Sequence, residues 1–322
     1  MDYNLVKKVS VVMCTYNGGT FLEKQLETIV HQTYPIYEII IQDDCSTDQT
    51  SKIISTYQKK YPIIKFWANT NNQGVNKNFF SALKKAEGEY IAISDQDDIW
   101  ELNKIERQME VIGNHLLCFH FSKPFSENGV PVAFDSRIPN YSLMRMIYFN
   151  MIPGHTMLMH RRLLADIVDE QCFLYDALLA LAAGVQDEVV FINEILVHHR
   201  RYSQAYSYHA PVSNAKSISN ISRYFSLSFF NMLHNKSSMT SHFSVMYALL
   251  LKYAHLSNRA ACFMKALRLC DLYRRYSVGT FLQASYLCVK YRDQIFYTQD
   301  KCIFRSFIRA SIHPLLMFQY YK

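Results

Sequence analysis

An α/β domain, with a mostly parallel sheet flanked by helices, is the fold the sequence predicts, followed by a helical C-terminal extension. Short β-branched apolar runs alternate with segments of helical spacing through the first half of the chain. That alternation marks strands buried on both faces by crossover helices. Three polar segments, at residues 15–19 (TYNGG), 42–48 (QDDCSTD) and 94–98 (SDQDD), each directly follow such a run. In an open parallel sheet they converge at the carboxyl edge, where ligands bind. With 9 Gly and 8 Pro against 23 Tyr and 21 Phe in 322 residues, the chain is not dominated by loops or disorder.

Taken in order, residues 9–14 (VSVVMC) form the first strand, and the turn that follows leads into a helix over 21–32 with Leu22, Leu26, Ile29 and Val30 inward. Residues 37–44 (YEIIIQDD) form a second buried strand ending in two carboxylates, and Ser46 and Thr47 are placed to cap the next helix. The unit repeats with a strand at 63–69, a helix over 76–88 ended by Gly88, and a strand at 89–100 that runs into the acidic cluster. A charged helix (102–114), a strand (116–122), an irregular stretch to Pro153, a helix (175–184) and one or two strands with a basic exit (188–204) complete the domain. Beyond residue 212 the segments turn long, helical, aromatic and basic, so residues 1–211 are assigned to the α/β domain and 212–322 to the extension.

Charge divides the same way. The formal +7 of the chain conceals 15 Lys+Arg against 3 Asp+Glu in residues 211–322 and 19 against 24 in the rest. The first part concentrates acids where a metal needs them, and the tail offers cations to phosphate or anionic lipid. Aromatics mixed with cations, as in residues 221–233 and 269–292, suit amphipathic helices on a membrane surface, and equally a helical cap or a dimer interface. No nucleic-acid binding module accompanies this charge, so nucleic acid is not an expected partner. The eight cysteines form no C-x-x-C pair and read as reduced thiols of a cytoplasmic protein at most peripherally bound to the inner face of a membrane, since no window of 18 residues is uninterruptedly apolar.

The sharpest motif is Asp95-Gln96-Asp97-Asp98 at the end of an apolar strand. Carboxylates this close repel one another unless a cation neutralises them, and hard oxygen donors suit Mn²⁺ or Mg²⁺, which in turn binds a diphosphate.

On the strength of residues 9–34, 38–50, 71–100 and 153–164, the chain resembles glycosyltransferase family 2 enzymes of the GT-A fold, in particular rhamnosyltransferases of bacterial polysaccharide synthesis. By that resemblance Asp44 accepts from the imide N–H of the base, a contact that uracil and thymine allow and cytosine does not, which favours UDP or dTDP carriers. The resemblance covers residues 8–206 and leaves the tail without a counterpart. It implies an inverting hexosyltransferase that uses a nucleotide diphosphate sugar and a saccharide or lipid-linked acceptor. In that light Thr15, Tyr16 and Asn17 line the nucleoside, Asp44 accepts from the base with Asp43 beside it, and Lys77 contacts the nucleotide. Asp95 faces ribose or water near the metal, and Asp97 is the direct metal ligand. Asp176, opening the helix at 175–184, is the general base; Asp187 and Glu188 rank behind it as rivals. Gly154 and His155 sit where sugar meets acceptor, with Trp100 counted on the same side. The family's Arg-x-His pair on the closing loop is represented by Arg200, a phosphate contact, and by Tyr202 in the place of the His. A neutral Tyr is a poor metal ligand, so His198 or His199 would have to substitute. That departure leaves a second reading, a sugar-nucleotide binding module impaired in turnover. The lack of G-x-G-x-x-G after the first strand disfavours a dehydrogenase, and the lack of a Gly-rich basic first loop disfavours a nucleotidyltransferase.

Overall fold

The computed structural model of the protein describes residues 6–127, 132–167, 174–202, 236–257, 259–297, 302, 303 and 306. Its sheet comprises β1 (Val9–Thr15), β2 (Glu38–Asp43), β3 (Ile64–Ala68), β4 (Tyr90–Ser94), β5 (Ile99–Trp100), β6 (Leu117–Phe125), β7 (Leu158–His160) and β8 (Val189–Arg200). The helices are α1 (Leu22–Val30), α2 (Thr50–Lys60), α3 (Val75–Leu83), α4 (Lys104–Ile112), α5 (Leu143–Tyr148) and α6 (Tyr175–Val185), followed by helices in the C-terminal region. Strand order is β3-β2-β1-β4-β7-β6-β8-β5. β1 pairs in parallel with β2 and β4, as β2 does with β3, whereas β7 is antiparallel to β4 and β6.

This order positions the site. The chain steps outward from β1 to β2 and β3, then returns through α3 to lay β4 on the other side of β1. The loops leaving β1 and β4 therefore diverge, and a crevice opens between them at the carboxyl ends. Both strands are apolar throughout: Val9, Val11, Val12 and Met13 of β1 and Ile91, Ala92 and Ile93 of β4 are fully buried. Val9, Val11, Met13 and Ala92 join Leu22, Leu26 and Ile29 of α1 and Ile39, Ile41 and Ile54 in one core. Gly88, where the chain enters β4, lets backbone approach backbone, since a Cβ there would lie 2.6 Å from Ser10 Oγ and 2.7 Å from Ser10 N.

Several local expectations change. The helix expected to run to Gly88 ends at Leu83. Ser46 and Thr47 do not cap α2, which begins at Thr50. Ser46 instead donates its Oγ and N–H to Asp43, at 2.6 and 2.8 Å, and Asp48 accepts from Thr50 N at 2.9 Å. Residues 189–200 are one strand, β8, paired in parallel with β6 across register shifts next to Phe121.

The chain separates into two compact units: Met1–Ser136 with Ile152–Ala183 and Glu188–Ala205, and Arg137–Met151 with Gly184–Asp187 and Tyr206–Lys322. The second unit thus takes in α5, which a single boundary near residue 212 had left with the sheet. Within it, Asn140 Nδ2 donates to the carbonyls of Asp293 and Phe296 at 2.9 and 3.0 Å, and Arg145 donates to that of Ile295 at 3.2 Å. Helices Lys236–Tyr253, Ala260–Arg275 and Val278–Lys290 bury Phe243, Leu250, Leu269, Tyr273 and Cys288. Among the described residues no helix is long and apolar enough to cross a membrane. Residues 221–233 of the expected aromatic tail lie outside the described residues.

One core residue breaks the apolar pattern. Lys104 is fully buried on α4, its Nζ 3.6 Å from the centre of the Trp100 ring and 3.1 Å from Gln108 Oε1. Burial, only partly opposed by Cys118 and Asp98, lowers its pKa to about 7. Between that value and the usual lysine range the unfolded chain binds the extra proton, so this amine destabilises the fold at neutral pH and the penalty fades as pH rises. Lys104→Met should raise stability at pH 7 by a few kcal/mol, on the order of 2. Denaturant titrations at pH 7 and pH 10 should show the difference between variant and parent shrinking at the higher pH; a constant difference would mean Lys104 is not held neutral.

Candidate active site

The crevice is laced together from its two sides. Tyr16 N donates to Gln96 Oε1 at 2.9 Å, and Gln96 Nε2 donates back to Tyr16 O at 3.1 Å, so the β1 loop and the acidic turn after β4 are fastened by one side chain. Gly18 is required there, because a Cβ would stand 2.2 Å from Gln96 Oε1. Thr15 Oγ1 donates to Asp43 Oδ1 at 2.6 Å, which together with Ser46 saturates Asp43 as a brace between β1 and β2. Asn17, at φ 47°, accepts from Thr47 N at 2.9 Å and donates its own N–H to Ser46 Oγ at 2.8 Å. Tyr16 remains half exposed on this wall.

Asp44 is buried, and its carboxylate accepts from Asn69 Nδ2 at 2.8 Å, Gln73 N at 2.7 Å and Gly74 N at 2.9 Å. Three of its roughly four acceptor positions are used to shape the loop before α3. Lys77, in the first turn of α3, is exposed.

The acidic turn holds carboxylates in three different states of engagement. Asp95 is half-buried, 3.3 Å from His155 Nδ1. Asp97 is buried, accepts from Tyr202 Oη at 2.7 Å, and is pushed up to about 6 by burial, with Asp95 and Asp98 adding repulsion. Asp98 is fully buried, its Oδ1 2.9 Å from His199 Nδ1 and 3.3 Å from Arg200 N. Burial opposes its charge, yet His155 and His199 outweigh that and hold its pKa below the usual range. The His155 and His199 rings stack with centres 4.7 Å apart and 6° between planes. Desolvation of His155 is likewise overcome by Asp98 and Asp95, which raise its pKa.

Asp176 opens α6 on the far wall. Its Oδ1 accepts from Ala177 N at 2.7 Å and its Oδ2 from Gly154 N at 3.3 Å. Tyr175 places this turn by stacking on Phe79 at 4.0 Å and by donating its N–H to Asn76 Oδ1 at 3.0 Å. A Cβ at Gly154 would lie 2.1 Å from Tyr175 Oη, so glycine is what admits the contact. Burial raises the Asp176 pKa to about 6, with Asp95 adding to the rise and the two backbone N–H groups and His155 opposing it. Asp95 and His155 on one side and Gly154 and Asp176 on the other are linked through the Gly154–His155 turn.

Three assignments are corrected. Trp100 is 2% exposed, part of the core beneath α4, and presents no surface to an acceptor. His155 is buried, with Nε2 2.8 Å from Ser122 Oγ and Nδ1 facing Asp95, so neither ring nitrogen is left for a sugar hydroxyl. Arg200 is 1% exposed; its Nε donates to Asp97 O at 2.8 Å and its guanidinium pairs with Glu127 between Phe21 and Phe125. It braces the acidic turn from behind. The rivals to Asp176 serve elsewhere, Glu188 in an ion pair with Arg162 at 2.9 Å and Asp187 in one with Arg259 at 2.7 Å. The importance of Gln96 and Asp98 went unread, because nothing in a run of four polar residues distinguishes the one that faces the first loop from the one that faces β8.

The turn fits a divalent cation. Asp98 Oδ2 is buried with no hydrogen-bond partner among the described residues, and donor atoms of Asp95, Asp98, His155 and His199 all lie within 4.8 Å of one another. Two carboxylates and two imidazoles form a donor set that first-row divalent ions accept.

Comparisons with known proteins agree with this architecture. The structure of Staphylococcus aureus TarS residues 1–349 in complex with UDP-GlcNAc superposes with a TM-score of 0.59 at 19% identity, over 98% of this chain and 88% of that one. The mannosyltransferase PcManGT from Pyrobaculum calidifontis, solved with GDP-Man and Mn²⁺, gives 0.50 at 17% identity, over 97% and 88%. Both share the GT-A fold. The dTDP-rhamnosyl transferase RfbG of Shigella flexneri is 39% identical over 113 residues, 33% of this chain and 39% of that protein. The chain spans less than two thirds of the length of the curated relatives it matches. Residues 10–168, which carry β1 and the acidic turn, match the family model described as Glycosyl transferase family 2, and this segment of the chain belongs to that family.

Proposed function

We propose that this protein is an inverting glycosyltransferase, moving a hexose from a UDP- or dTDP-sugar to a hydroxyl of a saccharide or lipid-linked acceptor in cell-surface polysaccharide synthesis. The observation that carries the reading is Asp176, a half-buried carboxylate whose pKa is pushed up to about 6, bonded to Gly154 N and close enough to Asp95 to feel its charge. A base poised there is ionised at neutral pH and still basic enough to take a hydroxyl proton. Asp176 removes that proton as the acceptor oxygen forms its bond to the anomeric carbon from the face opposite the diphosphate. The anomeric C–O bond breaks, its electron pair leaves with the nucleoside diphosphate, and the anomeric configuration inverts.

The remaining residues bind and orient. Thr15, Tyr16 and Asn17 form the nucleoside wall, Asp43 keeps it in place, and the remaining acceptor position of Asp44 faces the base imide. Lys77, exposed at the start of α3, supplies a cation for the nucleotide. Asp95 and Asp97 are the carboxylates expected at the cation, and a bound Mn²⁺ or Mg²⁺ supplies the positive charge that stabilises the departing diphosphate. The likeness to RfbG supports a dTDP-rhamnose donor. The cationic second unit supports a site of action at the cytoplasmic membrane face, where lipid-linked acceptors are presented. The Tyr202 bond to Asp97 favours one other reading, a sugar-nucleotide binding module with little turnover.

A panel of UDP- and dTDP-sugars with Mn²⁺ should separate these readings. A cognate donor at a hundredfold excess over its Kd should stabilise the protein by about 2.7 kcal/mol, a rise of several degrees in Tm. Stabilisation with acceptor-dependent transfer supports the enzyme, stabilisation without transfer the impaired module, and no stabilisation by any member refutes both. Asp176→Asn should lower kcat about 10²–10⁴-fold while leaving donor stabilisation intact. Near-parental turnover would remove Asp176 from the mechanism. For the parent enzyme, kcat should fall as pH drops through about 6, because Asp176 and Asp97 take up protons there, and level off above pH 7. A rate flat from pH 5 to 8 would contradict a carboxylate base.

A further inference from the structure

The family-like arrangement puts the cation on Asp97 with a histidine from the loop after β8, but in this chain Tyr202 occupies that place and its hydroxyl is bonded to Asp97 Oδ2 at 2.7 Å. One oxygen of Asp97 is therefore committed to a group that does not bind metal. One residue further on, Asp98 presents the opposite situation. It is fully buried, with Oδ1 shared by His199 and Arg200 N and Oδ2 left without a partner among the described residues. A buried carboxylate oxygen with nothing to accept from costs free energy unless a cation or proton reaches it.

Around it stand the other donors. His155 Nδ1 lies 3.3 Å from Asp95 Oδ2, and His199 Nδ1 lies 2.9 Å from Asp98 Oδ1. Each imidazole is thus matched with one carboxylate, with a proton where a cation would replace it. Metal–donor distances of roughly 2.0–2.2 Å put neighbouring ligands about 3–4 Å apart, so four donors within 4.8 Å need only a small contraction. His155 is also oriented from outside, because its Nε2 lies 2.8 Å from Ser122 Oγ, and this outer contact presents Nδ1 to the cluster.

We infer that this chain holds its divalent ion on Asp95, Asp98, His155 and His199, with Asp97 kept outside the ligand set by Tyr202. The inference deepens the reading of the acidic turn as the cation seat and shifts the seat from the exposed to the buried side of the turn. Two nitrogens and two oxygens favour a transition ion such as Mn²⁺ or Zn²⁺ over Mg²⁺, which prefers oxygen and retains water.

The test reads the metal directly on the full-length chain without any sugar nucleotide. Pulsed EPR of the Mn²⁺-loaded protein should show ¹⁴N couplings from directly bound imidazole, and a spectrum with no ¹⁴N coupling overturns the assignment without the need for a variant. In Mn²⁺ titrations, His199→Gln and Asp98→Asn should each weaken binding at least tenfold, whereas Asp97→Asn and Tyr202→Phe should change it less than threefold. Circular dichroism of the variants checks that they fold. Mn²⁺ affinity lost with Asp97→Asn and kept with His199→Gln would return the ion to the exposed pair. Should the nitrogen couplings appear in a protein that transfers no sugar, the ligand set stands and the transferase reading fails; oxygen-only Mn²⁺ in an active enzyme gives the reverse.

Discussion

Three carboxylates in four residues, at the end of a strand whose every other residue is buried, form the constraint around which the rest of this site is arranged. Repulsion between Asp95, Asp97 and Asp98 cannot be relieved by water, because Asp97 and Asp98 are both buried. Positive charge and hydrogen-bond donors have to be brought to them, and β8 brings most of them: His199, the Arg200 backbone and side chain, and Tyr202 all reach the turn within four residues. The long pairing of β8 with β6, and its antiparallel contact with β5 immediately after the turn, carry these donors to the place where they are needed.

The turn divides its burden unequally. Two imidazoles hold the Asp98 pKa below the usual carboxylate range against its burial, while burial and repulsion from Asp95 and Asp98 push Asp97 up to about 6 against the Tyr202 hydrogen bond. Neighbouring groups driven in opposite directions by their surroundings mark functional sites more often than structural ion pairs do. Here the split has a local cause in one residue type: a histidine at position 202 would share a proton or a metal with Asp97, whereas tyrosine can only donate a hydrogen bond.

Much of this was legible in the sequence. Buried parallel strands announce themselves as continuous Val and Ile runs, and Asp43, Asp44 and the acidic turn were placed at strand ends for that reason alone. Asp176 was legible as an acid opening an apolar helix near Gly154, and Tyr202 as the departure from the family's closing loop. What stayed hidden was depth. Trp100, Arg200 and His155 carry chemistry-bearing side chains in the right segment, but whether such a side chain faces the crevice or the core depends on strand pairing. The β5–β8 register sets Trp100 opposite Val197 and turns it under α4, and a single sequence does not display that register. Likewise α5 belongs with the second unit because Asn140 and Arg145 meet carbonyls some 150 positions later, a pairing without a local signature.

The same depth argument bears on how donor and cation could communicate. Gln96 is the only member of the acidic turn that is fastened to the nucleoside wall, through its paired bonds with Tyr16. Its neighbours on either side are Asp95 and Asp97. A displacement of Tyr16 is therefore passed to the backbone between these two carboxylates, and a displacement of the acidic turn is passed to Tyr16 through the same peptide units. Because Gly18 leaves the space that the Gln96 side chain fills, the β1 loop and the acidic turn are joined by a short connection, and for ligands bound at the two ends linkage requires that whatever one does to the affinity of the other be returned in equal measure.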